Sequence, residues 1–196
     1  MSHLQSPKTN VHHIAKQLLN DSRLNESKET LTELLEEDPS DFLAIHMLGL
    51  LAKKAKQWNL AIAFFTRAIE TNRINFASYF ERGLVNRKIA DLPGSISDFS
   101  FALKINPVSV ETLNNRGIAL CQAGNSAQAI VDFSEAIALK PNCSQTYFNR
   151  GLAHRTFGQI SAALDDYTRS IELDSKNYRA FNNRAMLHRD SKNFDE

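Results

Sequence analysis

Hydrophobic and polar positions follow one another along this chain in a pattern that repeats every 34 residues. The tripeptide Asn-Arg-Gly at 115–117 returns at 149–151, with close variants at 81–83 and 183–185. With repeats starting near 8, 42, 76, 110, 144 and 178, apolar residues recur at repeat positions 4, 8 and 11, and again at 17, 20, 24, 27 and 28. Both sets have the three-and-four spacing of an amphipathic helix, so the pattern predicts two helices in each repeat.

The two halves of each repeat are separated by turn-forming residues. Gly124 and Gly158 lie between the halves of the fourth and fifth repeats, and Pro107 and Pro141 follow the second half of the third and fourth. Because glycine and proline at these places end helices, each repeat is predicted to be an antiparallel helix pair.

Small residues recur where the paired helices are expected to cross. Glycine inside a helix costs about 1 kcal/mol relative to alanine, so its recurrence at repeat position 8 indicates a packing requirement. A ring at position 24 is expected to fill the space beside the crossing. The glycines are Gly49, Gly83, Gly117 and Gly151, and the rings are Phe65, Phe99, Phe133 and Tyr167.

The combined spacing resembles that of the tetratricopeptide repeat (TPR) family over roughly residues 8–196. This resemblance implies an all-α fold, a right-handed superhelical solenoid of antiparallel helix pairs with about five and a half repeats. We expect residues 1–7 to form a disordered N-terminal tail and residues 8–196 to form a single solenoid whose last repeat is truncated. In the second repeat the residues that match the family pattern are Leu48, Gly49, Ala61, Phe65 and Ala68.

An arginine at repeat position 7 is matched by an aspartate at position 23 wherever the repeat is complete. We interpret the two as a structural ion pair that joins the helices of one repeat. The alternative is a row of arginines that binds an anionic ligand. The predicted ion pairs are Arg82 with Asp98, Arg116 with Asp132, and Arg150 with Asp166.

The resemblance also implies that the first helix of each pair lines a concave groove, through repeat positions 2, 5, 6, 9, 12 and 13. At these positions the chain carries eight basic and three acidic side chains, a net charge of +5, whereas the whole chain carries +1. This sorting favours steering of an acidic peptide into the groove, and a solvated charged face is the alternative. The candidate peptide-binding cations are Lys53, Lys54, Arg87, Lys88, Arg155 and Arg189.

Repeat position 6 holds a row of three asparagines, Asn115, Asn149 and Asn183. The row resembles the asparagine ladder in the TPR superhelix of O-linked N-acetylglucosamine transferases, which implies that these amides hold the backbone of an extended peptide. An amide offers both a donor and an acceptor, as a peptide backbone requires. The alternative is local capping or contact with solvent. Phe80 and Phe148, at position 5, are predicted to supply apolar anchor points.

Composition and motifs exclude several classes of function. A net charge of +1 excludes binding of nucleic acid or anionic lipid by bulk charge alone. Cys121 and Cys143 have no CxxC spacing, and the chain has no nucleotide-binding or hydrolase motif, so we expect no metal, no cofactor and no catalysis. The absence of an apolar leader and of a long apolar run favours a cytoplasmic protein.

The sequence therefore predicts a non-catalytic scaffold or adaptor that binds extended, acidic protein segments in a basic groove. One alternative is a regulatory or substrate-binding arm of a larger enzyme whose catalytic domain lies outside this chain, because the sequence stops inside a repeat at residue 196. Another is RNA binding in the basic groove. The uncovered last repeat also suggests self-association at that end.

Overall fold

The computed structural model describes residues 7–21 and 23–192 of the chain. Over these residues it contains eleven α-helices and no strand, so the predicted all-α fold of antiparallel helix pairs is confirmed. The predicted N-terminal tail lies outside the described residues except for Pro7, where the first helix begins. The helices are α1 (Pro7–Asn20), α2 (Leu24–Glu37), α3 (Phe42–Lys54), α4 (Trp58–Thr71), α5 (Phe76–Lys88), α6 (Leu92–Ile105), α7 (Val110–Gln122), α8 (Ser126–Leu139), α9 (Ser144–Thr156), α10 (Ile160–Leu173) and α11 (Tyr178–Lys192).

Polar residues at repeat position 34 begin most of the first helices. Asp41 accepts hydrogen bonds from two backbone N–H groups of α3, Asn75 from one of α5, and Ser109 from one of α7. These side chains satisfy donors that the first turn of a helix leaves without partners. At the same position Cys143 begins α9 without a side-chain cap.

The turn between the two helices of a repeat needs one residue with positive φ, at repeat position 15. Gly124 and Gly158 fill it in the fourth and fifth repeats, with φ of 81° and 86°. Lys56 and Ala90 occupy the same conformation in the second and third repeats, with φ of 59° and 64°. A residue other than glycine is strained at positive φ. The turns of the second and third repeats therefore carry backbone strain that the glycine turns do not.

Each position-24 ring lies directly over the position-8 glycine of its own repeat. A Cβ atom added to Gly117 would lie 2.7 Å from the Phe133 ring, and one added to Gly151 would lie 2.7 Å from the Tyr167 ring. Both rings are fully buried. The glycines are therefore required for close packing of the two helices.

The chain divides into two compact units, residues 1–105 and 106–196. Unit 1 holds α1 to α6, and unit 2 holds α7 to α11. In unit 1 one cluster packs Leu31 and Met47 between the first two helix pairs, and another surrounds Phe65. In unit 2 a cluster surrounds Tyr167 and reaches Leu187 of α11.

Candidate peptide-binding faces

The first helices of neighbouring repeats meet within each unit and form a continuous surface. In unit 1 this surface is made by α1, α3 and α5, and α3 contacts both of the others. In unit 2 α7 contacts α9, and a side-chain hydrogen bond joins α9 to α11. We call these surfaces the unit 1 face and the unit 2 face.

The position-7 arginines bind the position-23 aspartates of their own repeats. The Arg116 Nη2 to Asp132 Oδ1 distance is 2.7 Å, and its Nε donates to the other carboxylate oxygen at 2.8 Å. Arg82 with Asp98 and Arg150 with Asp166 show the same two-point contact, also at 2.7 Å. The aspartate side chains are 1–6% exposed, whereas the arginine side chains are 20–21% exposed. These are buried carboxylates held by charge-assisted hydrogen bonds.

The hydrogen bonds that the guanidinium groups donate to the aspartates raise the pKa of two of these arginines. The side chain of Asp132 raises the pKa of Arg116, and that of Asp166 raises the pKa of Arg150. Both groups are fully charged at any pH at which the protein folds, so the ion pair depends on the aspartate remaining ionised.

The same arginines also bind the preceding repeat. Arg82 Nη1 donates to the Thr66 hydroxyl at 2.8 Å, and Arg150 Nη1 donates to the Ser134 hydroxyl at 3.1 Å. In α11, Arg184 Nη1 donates to Thr168 at 3.2 Å. These contacts were not among those predicted from the sequence, although repeat position 25 carries a hydroxyl in five successive repeats. The hydroxyls are Thr32, Thr66, Ser100, Ser134 and Thr168.

Repeat position 11 provides a third group near two of the aspartates. Asn86 is buried and donates from Nδ2 to Asp98 Oδ2 at 3.0 Å. His154 Nε2 lies 3.7 Å from Asp166, and its Nδ1 lies 2.6 Å from the side-chain oxygen of Gln159. Position 11 is apolar in the first, second and fourth repeats, so the spacing alone predicts a packing site there.

On the unit 1 face, two of the predicted cations bind groups of the protein itself. Lys53 forms an ion pair with Glu81 of the next repeat. Lys54 Nζ donates to the Leu19 carbonyl, at the end of α1, at 2.6 Å. Lys88 is exposed, and Arg87 is half-buried, which lowers its pKa through desolvation. Fewer cations of this face are therefore available to a ligand than the sequence alone indicates.

On the unit 2 face, Arg155 Nη1 donates to Asn183 Oδ1 at 2.7 Å. The two residues are 28 positions apart, as are Lys53 and Glu81. In both cases position 12 of one repeat reaches position 6 of the next. We call each such contact an inter-repeat bridge. Arg189 of α11 is exposed.

The asparagine row is half-buried, and its amides bind groups of their own helices. Asn115 Nδ2 donates to the Glu111 carbonyl at 2.9 Å, and Asn149 Oδ1 accepts from Gln145 at 2.8 Å. Asn183 Nδ2 donates to the Arg179 carbonyl at 2.9 Å. A peptide would have to replace some of these bonds in order to use the amides, so the ladder remains a prediction.

Phe80 and Phe148 are 9% and 5% exposed. The Phe80 ring packs against Phe99, with centroids 5.8 Å apart, and the Phe148 ring packs against Tyr167, with centroids 6.0 Å apart. Both rings are therefore part of the core, and their predicted role as apolar anchor points for a peptide stays a prediction.

A buried histidine lies between α3 and α5 and was not singled out by sequence. His46 Nδ1 lies 2.8 Å from the Ser78 hydroxyl, and its ring packs 5.5 Å from that of Phe65. Desolvation lowers the pKa of His46. The neutral imidazole therefore joins the second and third repeats.

The two cysteines have different environments. Burial raises the pKa of Cys121. At Cys143 burial also disfavours the thiolate, but hydrogen bonds from Thr146 and Gln145 outweigh it and lower the pKa. No group of three or more His, Cys, Asp or Glu side chains among the described residues is arranged to hold a metal ion. Over the same residues, no helix combines the length and apolar character needed to cross a bilayer.

The predicted self-association concerns the end of the chain. α11 exposes Tyr178, Phe181 and Met186, and residues 193–196 lie outside the described residues. Self-association stays a prediction.

Comparisons with known proteins agree with this architecture. Residues 110–143 and 144–177 each match a family model described as tetratricopeptide repeat. A search of curated proteins by sequence found no significant match. Among solved structures, YrrB, described as a TPR protein with an unusual peptide-binding site, is similar with a TM-score of 0.82 at 18% identity, over 89% of this chain and 90% of YrrB.

Two further solved structures show the same likeness. The MamA protein is similar with a TM-score of 0.78 at 19% identity, over 87% of this chain and 93% of MamA. A tetratricopeptide repeat protein from Parabacteroides merdae has a TM-score of 0.80 at 16% identity, over 92% of this chain and 72% of that protein. At these identities the likeness shows the fold alone.

Proposed function

Because this chain is a tetratricopeptide repeat protein, we propose that it is a non-catalytic adaptor that binds extended, acidic segments of other proteins. The segments bind along the cationic side chains of the unit 1 face and the unit 2 face. We expect this adaptor to act in the cytoplasm.

The observation that carries the proposal is the division of the cations into two sets. The position-7 arginines, such as Arg116, form ion pairs with buried aspartates of their own repeats. The cations at positions 12 and 13 lie on the faces instead. There Lys88 is exposed, and Arg155 binds only the neutral amide of Asn183 among the residues described. A face with such cations attracts acidic ligands and orients them during encounter.

An extended ligand suits this arrangement because cations at positions 12 and 13 recur within each unit, on α3 and α5 of unit 1 and on α9 and α11 of unit 2. Stacked helix pairs of this kind present extended binding surfaces. YrrB, which has the same fold, is described as having a peptide-binding site. That description concerns YrrB and supports, by analogy of fold, a peptide rather than a small molecule as the ligand here.

The test is peptide binding with a matched pair of double variants. We expect a labelled, glutamate-rich peptide to bind the wild-type protein more tightly than the glutamine-for-glutamate version of the same peptide. The affinity should fall as salt rises from about 0.05 M to about 0.5 M. Lys88→Glu with Arg155→Glu should weaken binding at least about tenfold, as measured by fluorescence anisotropy.

The control carries the same change of charge away from the faces. Lys56→Glu with Lys140→Glu alters two exposed lysines in or next to loops and should bind the acidic peptide almost as the wild type does. Thermal unfolding of both double variants verifies that they fold. Equal affinity for the acidic and the neutral peptide, or equal losses in the two double variants, would refute the proposal.

A further inference from the structure

The two inter-repeat bridges join the same repeat positions and carry different charges. In unit 1 the bridge joins Lys53 to the carboxylate of Glu81, so its net charge is zero. In unit 2 the bridge joins Arg155 to the neutral amide of Asn183, so its net charge is +1. Repeat position 12 supplies the cation in both, and repeat position 6 of the next repeat decides whether that charge is cancelled.

Arg155 has hydrogen-bonding capacity left for a ligand. A guanidinium carries five N–H donors in a planar fork. Within the described residues its hydrogen bond goes from Nη1 to Asn183, and the side chain is half-buried rather than enclosed. The remaining donors can take a carboxylate in the two-point geometry that makes arginine–carboxylate contacts strong.

Asn183 holds the arginine in place for this contact. Its Oδ1 accepts from Arg155 at 2.7 Å, and its Nδ2 donates to the Arg179 carbonyl one helical turn earlier at 2.9 Å. Both ends of the amide are therefore hydrogen-bonded. Because this contact already restrains the arginine, its side chain loses less conformational freedom when a ligand binds. This is a positioning role, different from the ladder role that the sequence predicts for the same residue.

The surrounding charges of the unit 2 face are mixed, with an excess of cations. Arg179 and Arg189 are exposed on α11, and Glu111 is exposed on α7. In unit 1, by contrast, Glu81 is 19% exposed and already occupies Lys53. An incoming carboxylate would have to displace an acid from Lys53, whereas at Arg155 it would displace at most a neutral amide.

We propose that the Arg155–Asn183 bridge is the carboxylate-binding point of the unit 2 face, and that the residue at repeat position 6 sets whether an inter-repeat bridge accepts an acidic side chain. This inference rests on the proposed function, because it names the point at which the acidic segment is recognised. The ligand is a glutamate or aspartate side chain of an extended protein segment.

The decisive variant is Asn183→Glu, which gives unit 2 the acidic partner that Glu81 provides in unit 1. We expect it to weaken binding of the glutamate-rich peptide about tenfold and to leave the weak binding of the glutamine version unchanged. Arg155→Gln removes the cation without adding an acid and should cause a similar loss. Asn183→Gln keeps a neutral amide and should retain most of the affinity.

The reciprocal variant acts on unit 1. Glu81→Asn replaces the acid with an amide, so the bridge from Lys53 becomes positive. We expect this variant to bind the acidic peptide more tightly than the wild type does. Asn142→Glu adds the same negative charge as Asn183→Glu, at an exposed position in the loop before α9. It is the control for general electrostatics in that variant and should have little effect.

The outcomes separate this inference from the proposed function. If the wild type shows no preference for the acidic peptide, the proposed function fails and the inference with it. If that preference is present and the Lys88, Arg155 double variant loses it, but Asn183→Glu and Arg155→Gln both bind as the wild type does, the inference alone is wrong. A loss in Asn142→Glu equal to that in Asn183→Glu would also overturn it.

Discussion

Unit 1 and unit 2 use the same Arg–Asp ion pair and surround its aspartate differently. In unit 1, Asp98 accepts from Arg82 and also from the buried amide of Asn86. In unit 2, Asp166 accepts from Arg150, and His154 lies 3.7 Å away. Asp98 therefore accepts hydrogen bonds from one more side chain than Asp166 does. A repeated ion pair therefore has no fixed energetic value, because the third side chain beside it decides which groups are left without a partner when the pair is broken.

The largest expected effect comes from removing these two aspartates. Asp98→Ala leaves both Arg82 and Asn86 without their acceptor, and we expect it to lower the free energy of unfolding by about 3 kcal/mol. Asp166→Ala should cost about 1 kcal/mol less, the value of one hydrogen bond, because His154 keeps its contact with Gln159. Urea denaturation of the two variants measures both values.

A control for this difference exists within the chain. The fourth repeat has Leu120 where Asn86 stands in the third. In an Asn86→Leu background, Asp98→Ala should therefore cost no more than Asp166→Ala does in the wild type. If the cost of Asp98→Ala is unchanged by Asn86→Leu, the third neighbour has no influence and the comparison between the units fails.

The second difference between the units lies at repeat position 24. Unit 1 has Phe65 and Phe99 there, whereas the fifth repeat in unit 2 has Tyr167. The Tyr167 hydroxyl is buried and has no hydrogen-bond partner among the described residues. Tyr167→Phe should raise the free energy of unfolding by about 1 kcal/mol, since an unpartnered buried hydroxyl is unfavourable. The reverse change, Phe99→Tyr, should destabilise unit 1.

Thermal denaturation of the two variants checks this pair of predictions. A decrease in stability for Tyr167→Phe would mean that the hydroxyl makes a favourable contact. Such a result would remove the second difference between the units.

The regular parts of the fold and site were predictable because their chemistry recurs with a fixed separation. Arginine and aspartate stand 16 residues apart in three repeats, and glycine and a ring do so in four. The inter-repeat bridges were not predicted because the residue types change from one repeat to the next, Lys53 with Glu81 in one and Arg155 with Asn183 in another. A separation of 28 residues does not mark a contact in the sequence when the residue types of the two partners differ between repeats.

Two other features of the structure could not be predicted from the sequence, each for a different reason. Lys54 binds the backbone carbonyl of Leu19, and a carbonyl acceptor is present at every residue, so no residue type marks it. Phe80 occupies a position that the family resemblance assigns to the groove, but the neighbouring Phe99 buries it. Burial depends on how the rings pack around one another, and a spacing rule does not contain that information.

The smallest expected effect is a pH dependence confined to unit 1, where His46 is buried against Ser78. Desolvation lowers its pKa below the ordinary 6.5, the charge of Glu81 opposes this, and that of Lys53 adds to it. The folded state thus favours the neutral imidazole, so the contribution of His46 is present above pH 6.5 and is lost as pH falls through its folded pKa. Because the charge of Glu81 partly offsets the effect of desolvation on the pKa of His46, we expect this change in stability to be the smallest of those predicted.

The variant His46→Asn tests it, because the fourth repeat has Asn114 at the same position. We expect the wild type to lose more of its free energy of unfolding than His46→Asn does when the pH falls from about 7.5 to about 5. The matched variant His154→Asn changes a half-buried histidine of unit 2, whose Nε2 lies 3.7 Å from Asp166, and leaves His46 in place. It is the control for the loss of a histidine outside unit 1. If His46→Asn and the wild type lose equal stability, protonation of His46 does not act on unit 1, and the pH response belongs to groups that the two units share.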